Sequence, residues 1–572
     1  MLGMDSHSVD VQLPANSEGK NKQRRIDVPM RSFQGGYYPQ LIALYTHLGV
    51  NFREADFTYS FAQIDSNAPS LRTADASKRK ITTFMIYDGA SGQKGISVPS
   101  SYFPTGTLTL WDTMVGYMAY AFSAFVLVLF SLRMAFHSLP IRSTDSSSKP
   151  PSHTVSFRTT FWGLSSTPVT IRLPRYLLPV IVRPAPNVTF REWIQSTTPR
   201  STLSRWLGLD KRWMAFAEDI LIPLFSAVCT ASEEAIWEHP VEEFLDFAYL
   251  TIGTHHYVVQ NGVRDVVDRI SSPLKKDNIH LSSPIVSLVY TSPSSSSHSS
   301  PKIDIHCTNH TVYSGFDHII FATQANQAMS ILNTYIDSIP LGTRHRERVG
   351  EQIECLRGFG YVKNVVVNHT DSTVMPDSRR DRRDLNLMMA RAQFRRCNQS
   401  QSQSGECGQQ QQCGEGDGDL NVVPPTFAMA THMLTGSEGV YQTTNPVVHI
   451  EEEGVLSVAR LERAVVTVKS KAALKELWVE DSVVDKQEEE EGGGLSWGCA
   501  AVARGRLGRL QGAGVREEEG EEDAPGIWLC GSYAYGGIPL LEGCVVSARL
   551  VVEEGVWAVE GVSGREKGQM RV

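Results

Sequence analysis

Several patterns that announce a chemistry are missing from this sequence. Its nine cysteines form no CxxC pair and no zinc spacing. They read as reduced thiols of an intracellular protein, and no metal is expected. There is no HExxH. The glycine-rich GxGxxG loop that cradles a dinucleotide phosphate is also missing. The nearest string, GAGVRE at Gly512–Glu517, lacks the third glycine, follows no predicted strand and runs into acid. Basic residues do not predominate: the formal charge is −8, which excludes the electrostatic footprint of a nucleic-acid binder. The polar start, with Asp5, Ser6, His7 and Asp10, does not have the apolar run of a secretory leader. Sequons at Asn187, Asn309, Asn368 and Asn398 are of a frequency that chance supplies.

What is present is a chain of 572 residues, 41% hydrophobic, long enough for more than one domain and a large core. MLGMDSHSVDVQL and IDVPM alternate like strands around a polar turn. A helix is predicted from about Tyr37 to His47, with Leu41, Leu44, Tyr45 and Leu48 on its buried face and Gly49 ending it. Residues 57–64 read as a strand. Residues 113–132 form the single long apolar run, about the ~20 residues that cross a bilayer. Two readings stay open for it: a spanning helix, or a core or membrane-surface helix covering a substrate tunnel. Residues 141–175 are Ser/Pro/Thr-rich and read as loop. Helices follow to about residue 270, then a strand pair in IHLSSPIVSLVYTS, more strands to residue 321, and a helix at ANQAMSILN. IECLRGFGYVKNVVVNHTD returns to strand. Residues 377–422 are dominated by Arg, Gln, Ser, Gly and Asp and read as a disordered insert. The adjacent His255 and His256 point apart on any regular element, so they read as structural rather than metal-binding.

The chain closes on Ile527–Glu553. Ile527–Cys530 is long enough for a buried strand, Gly531 and Ser532 stop it, and a loop with Gly536, Gly537 and Pro539 follows. Leu541, Cys544, Val545, Ala548, Val551 and Val552 then fall at helical spacing. Strand, glycine turn and helix start let backbone approach a flat or anionic ligand, because glycine has no Cβ and the first helical amides lack internal partners.

Within that stretch, LCGSYAYGGIPLLEGCVVSA (529–548) resembles the closing motif of the flavin-containing amine oxidases and their relatives. Other segments are similar to that family in the family's order: GMDSHSVDV, IDVPMR, YYPQLIALYTHLGV, LIPLFSAVCTASEEAIWEHPVEEFLDF, HHYVVQNGVRDVVDRI, IHLSSPIVSLV and DHIIFATQANQAMSIL. HTDSTVMP, QTTNP and LERAVVT resemble its amine-oxidase-like flavoprotein subgroup. The likeness covers most of the chain outside the polar inserts. One departure stands out. The family's first strand, GxGxxG loop and first helix belong before Gly3. The sequence therefore reads either as N-terminally incomplete or as having lost its pyrophosphate cradle.

The resemblance implies an α/β fold: a FAD-binding Rossmann-like domain, its first βαβ unit missing, with an interleaved α+β substrate domain. Residues 1–30 would be a remnant of the FAD domain and 31–250 the first part of the substrate domain. Residues 251–335 would return to the FAD domain, and 336–480 would complete the substrate domain. Residues 481–526 would be an acidic, glycine-rich loop and 527–572 the last FAD-binding segment. Gly531 and Ser532 would approach the ribityl and phosphate region. Pro539, Leu540, Leu541 and Glu542 would lie at the isoalloxazine edge, with Arg31, Gly35 and Gly36 nearby. Ile285 would meet the adenine through its backbone, and Asn261 and Gly262 would lie near the cofactor and substrate cavity. The implied activity is hydride transfer from a substrate C–H bond to flavin N5, on a small molecule whose lipophilic character, like membrane association, the 113–132 stretch favours. Two alternatives remain open: a non-catalytic remnant that cannot bind FAD, and a membrane-anchored protein carrying such a domain.

Overall fold

All six residues of the strand Leu385–Ala390 are buried. A strand reads as a continuous apolar run when both its faces are covered, and this one lies inside an eight-stranded sheet. The structure is a computed structural model. It describes residues 3, 7–13, 22–29, 32–66, 79–89, 94–103, 110–139, 142–143, 154–158, 168–172, 182–292, 300–390, 422–434, 439–480, 505–513 and 524–562.

The strand order in the sheet is Val455–Val465, Gly360–His369, Tyr441–Thr444, Met429–Met433, Leu385–Ala390, Tyr59–Ser66, Arg79–Tyr87 and Ile96–Ser97. Its pairs are antiparallel except Leu385–Ala390 with Tyr59–Ser66, which run parallel from Leu385↔Tyr59 to Ala390↔Ile64. Polar side chains lock that joint. Ser60 Oγ donates to Asn386 Oδ1 at 2.7 Å, and Asn386 Nδ2 donates to Arg383 O at 2.7 Å. A buried polar pair persists only when its hydrogen bonds are made, so these two fix the register.

Helices pack on this sheet and on one another. Phe190–Thr197 starts with a capping box, in which Glu192 N donates to Thr189 Oγ1 and Thr189 N to Glu192 Oε2. Phe190, Trp193 and Ile194 supply its buried face. The segment from Leu209 to Cys229 is helical throughout, with a π-turn at Ala217–Leu221. Phe225 stacks on Phe244 of the helix Val241–Thr251 with ring centroids 3.8 Å apart.

The remaining chain forms smaller units. His7–Leu13 and Lys22–Val28 are an antiparallel hairpin. Phe33–Gln34, His256–Val259 and Phe52–Glu54 make a short three-stranded sheet beside the helix Pro39–His47. Ile285–Thr291, Lys302–Cys307 and Val312–Phe316 make another. His318–Phe321 pairs in parallel with Gly526–Leu529.

The chain is thus a mixed α/β protein with one large mixed sheet. Among the described residues the separate parallel sheet has two strands, so a doubly wound Rossmann sheet is not present there. Other expectations change. Residues 141–175 were expected to be loop, yet Arg142–Ser143, Thr154–Arg158 and Pro168–Arg172 pair as strands. Ile279–Ser282 is not a strand; only Ile285–Thr291 is, because Pro284 offers no N–H to a ladder. Ile353–Leu356 ends the helix Arg344–Leu356 rather than beginning a strand. Residues 377–390 are ordered and carry the central strand, while 391–421 lie outside the described residues. The apolar run lies in a helix, Leu110–Ser138. It is the one helix among the described residues long and apolar enough to cross a membrane, judged by length and composition.

Candidate functional site

In the parallel pair, the carboxyl ends of His318–Phe321 and Gly526–Leu529 lie side by side, with Phe321 opposite Leu529. Cys530 N donates to Phe321 O at 2.9 Å. Each strand then turns into a helix, Ala325–Ile336 or Leu541–Leu550. Open α/β sheets take ligands outside the carboxyl ends of their strands, and Gly531 sits there with φ 145°. A Cβ on it would stand 3.1 Å from the Tyr533 ring and 3.6 Å from Thr323 O, so glycine is needed for the turn as well as for any close approach.

The protein itself uses the turn and helix-start donors expected to face a ligand. Gly531 N donates to Ser547 Oγ at 2.9 Å. Ala325 N, at the head of its helix, donates to Tyr361 Oη at 2.6 Å. Val263 N, first in the helix after Asn261 and Gly262, donates to Asp27 Oδ1 at 2.9 Å. Such amides attract anionic ligands when unpaired; these three are paired.

Glu542 is 3% exposed. Its two carboxylate oxygens accept Gln40 N at 3.0 Å and Leu41 N at 2.9 Å. It caps the helix Pro39–His47 from another part of the chain, in place of the side-chain cap that Tyr38 does not provide. Burial pushes its carboxyl above the usual range, against these two hydrogen bonds. Leu540 and Leu541 pack on the cluster of Phe33, Tyr38, Leu41 and Val266. Gly36 belongs to the same neighbourhood for a packing reason: a Cβ there would lie 1.7 Å from Leu250 O. Gly35 N donates to His255 O at 3.1 Å. Gly531, Ser532, Pro539–Glu542, Gly35 and Gly36 therefore converge on the helices Pro39–His47 and Leu541–Leu550. Ile285 is 42% exposed at the start of a different sheet, and Asn261 Nδ2 donates to Asp265 on its own helix at 3.4 Å. Arg31 lies outside the described residues. His255 and His256 share Asp56: Nδ1 of the first bonds its carboxylate at 2.8 Å and the backbone N–H of the second donates to it at 3.0 Å, while His256 Nε2 bonds Gln34 at 2.7 Å.

Sequence reasoning passed over the most polar feature here. Lys471 donates to both Glu242 and Glu243, which lie 229 and 228 positions away. With Phe359, Tyr533, Tyr535 and Pro539, Glu243 and Lys471 line a small cleft of about 20 Å³. Two carboxylates share one ammonium, so one negative charge is left over. Burial drives the Glu243 carboxyl up, although Lys471 opposes that. Burial also acts to lower the Lys471 ammonium, but Glu243 and Glu242 outweigh it and the net direction is up. The Tyr533 hydroxyl is buried with no hydrogen-bond partner among the described residues, and burial pushes it well above the phenol range. The string GLSWG at 494–498, with the spacing of a nucleophile elbow, was also passed over and lies outside the described residues.

No protein-family model and no curated protein matches the chain. Solved structures with some likeness include cyclohexylamine oxidase from Brevibacterium oxydans, at 9% identity over 94% of this chain and 88% of that one, TM-score 0.37. Another is wild-type putrescine oxidase bound to putrescine, at 13% identity over 98% and 90%, TM-score 0.35. Similarity at these TM-scores does not establish a shared fold.

Proposed function

We propose that this chain is an oxidoreductase of the amine-oxidase-like flavoprotein class, acting on a small molecule at the cleft beside Pro539. The observation that carries the reading is the placement of the strand–glycine–helix unit. It exits at the carboxyl ends of the parallel pair, with Gly531 in a conformation that favours glycine. The ordered family-like segments of the sequence support the same reading.

The ring half of FAD does not fit this site as it stands: Phe359, Tyr535 and Pro539 offer apolar surface, but the cleft of about 20 Å³ has room for about one water and the Lys471 ammonium is already bonded to Glu242 and Glu243. The phosphate half does not fit among the described residues: no glycine-rich cradle is there, and the amides of Gly531, Ala325 and Val263 are already bonded. At the cleft, the chain's own residues hold two carboxylates on one ammonium beside the rings of Phe359, Tyr533 and Tyr535.

The paired amides favour a second reading, a non-catalytic remnant of the fold. Purification of the full chain, with and without added FAD, separates the two. The oxidoreductase reading expects one flavin per chain, seen as absorbance near roughly 450 nm and as FAD released on denaturation. A colourless protein whose melting temperature does not move with added FAD establishes the remnant.

A further inference from the structure

The helix Leu110–Ser138 has two faces of different fate. One face packs on the protein over most of the helix length. Tyr120 Oη donates to Ser97 O at 3.0 Å, and Arg212 Nη1 to Ser123 Oγ at 3.2 Å. Phe130 is fully buried against Trp213, with centroids 4.5 Å apart. His137 Nδ1 accepts from Trp193 Nε1 at 2.8 Å. The other face is apolar and open to solvent: Trp111 is 67% exposed, Met118 65%, Phe125 54% and Val128 55%. The short helix Thr202–Trp206 packs on Leu209–Phe216, which itself packs on the long helix, and it exposes Leu203 and Trp206 at 65% and 81%.

We propose that this surface docks on an anionic lipid bilayer, with the long helix lying in the interface rather than crossing it. Its 29 residues make a rod of about 43 Å, longer than the ~30 Å hydrocarbon core. Crossing would carry Ser97, Arg212 and Trp193, which bond along the rod, into hydrocarbon with it. Lying flat leaves those contacts intact and covers only the open face. The charge around the patch fits a negative surface although the whole chain carries −8. Arg200, Arg205, Lys211 and Arg212 are exposed on these two short helices and the turn before them, against Asp112, Asp210 and Glu218. Tryptophan at the edges, apolar side chains between and cations alongside are what an interfacial helix presents to headgroups.

The test is flotation of the full chain with vesicles of phosphatidylcholine alone or with phosphatidylserine. Spin labels at Met118→Cys, Phe125→Cys and Leu132→Cys then report depth. The expected result is binding that needs phosphatidylserine and weakens about fivefold for each cation removed in R205A or K211A. All three labels should sit at one shallow depth. Met118→Glu with Trp206→Glu should abolish flotation while circular dichroism and melting stay unchanged, since both side chains are exposed. The proposal is overturned by failure to float, by equal binding to neutral vesicles, or by labels that deepen from the ends to Phe125, which means a span. Labels already shielded in lipid-free protein also overturn it, because a second copy or another segment of this chain then covers the face.

Discussion

Two adjacent glycines separate packing from ligand approach. The family likeness places Gly35 and Gly36 together near a flavin ring, but their surroundings differ. A Cβ on Gly36 lies 1.7 Å from Leu250 O and 2.9 Å from Leu250 C, and that gap has to open to at least 3.4 Å before contact is ordinary. Neither side yields easily. Leu250 is in the helix Val241–Thr251, and the glycine loop is held by Gly35 N on His255 O and by Tyr37 against Phe247, with centroids 5.0 Å apart. Ordinary overpacking costs about 1–3 kcal/mol. Here backbone meets backbone, so Gly36→Ala is expected at about 3 kcal/mol or more. Gly35→Ala meets nothing closer than 3.6 Å. It should stay within about 1 kcal/mol of the parent, with a small gain from the stiffer unfolded chain. Urea unfolding followed by tryptophan fluorescence reads both, at constant m. An unchanged midpoint for Gly36→Ala, or equal damage from Gly35→Ala, refutes the packing argument and returns the pair to ligand binding.

Two further outcomes concern charge. Lys471→Met leaves Glu243 buried without its cation and should cost about 3–5 kcal/mol near neutral pH. The raised carboxyl makes Glu243 favour the fold below its unfolded value of 4.5, and that contribution is lost as pH rises through the raised value. The variant's deficit should therefore shrink in acid, and urea midpoints that differ equally at neutral and acid pH would argue against the pair. His239, His369 and His432 are each held down to about 4 by burial, from 6.5. Between those values the unfolded chain binds more protons, so stability is present above 6.5 and is lost as pH falls through about 4. His239→Leu should flatten that acid limb, and an unaltered slope contradicts the assignment.

Local signals were legible where they were local. Leu41 and Tyr45 at helical spacing, with Gly49 in the left-handed region beyond, gave the helix Pro39–His47 nearly to its ends. Alternation found the hairpin His7–Val28. The central strand Leu385–Ala390 was hidden because its composition was averaged with the polar residues on either side, although its six residues alone form a run without a charge. The candidate site was legible in its glycine turn at Gly531 and not in its charges. Lys471 reaches Glu242 and Glu243 across more than two hundred positions, and Glu542 reaches Leu41 across 501. No periodicity carries information over such distances. Glu542 was expected at the edge of a flavin ring, whereas its carboxylate accepts the amides of Gln40 and Leu41 at the start of another helix.

The parallel joint between Tyr59–Ser66 and Leu385–Ala390 also sets a timetable. Ser60 and Asn386, which bond across it, are 326 positions apart. At about 5–20 residues per second, translation leaves the first strand waiting roughly 16–65 s for the second. Until then Tyr59–Ser66 has only Arg79–Tyr87 beside it, and its other edge shows an unpaired row of amides and carbonyls. Contacts this distant in sequence also form slowly once the chain is complete. The nascent protein is thus most open to edge-to-edge aggregation, and most dependent on chaperones, while the middle three hundred residues are being made.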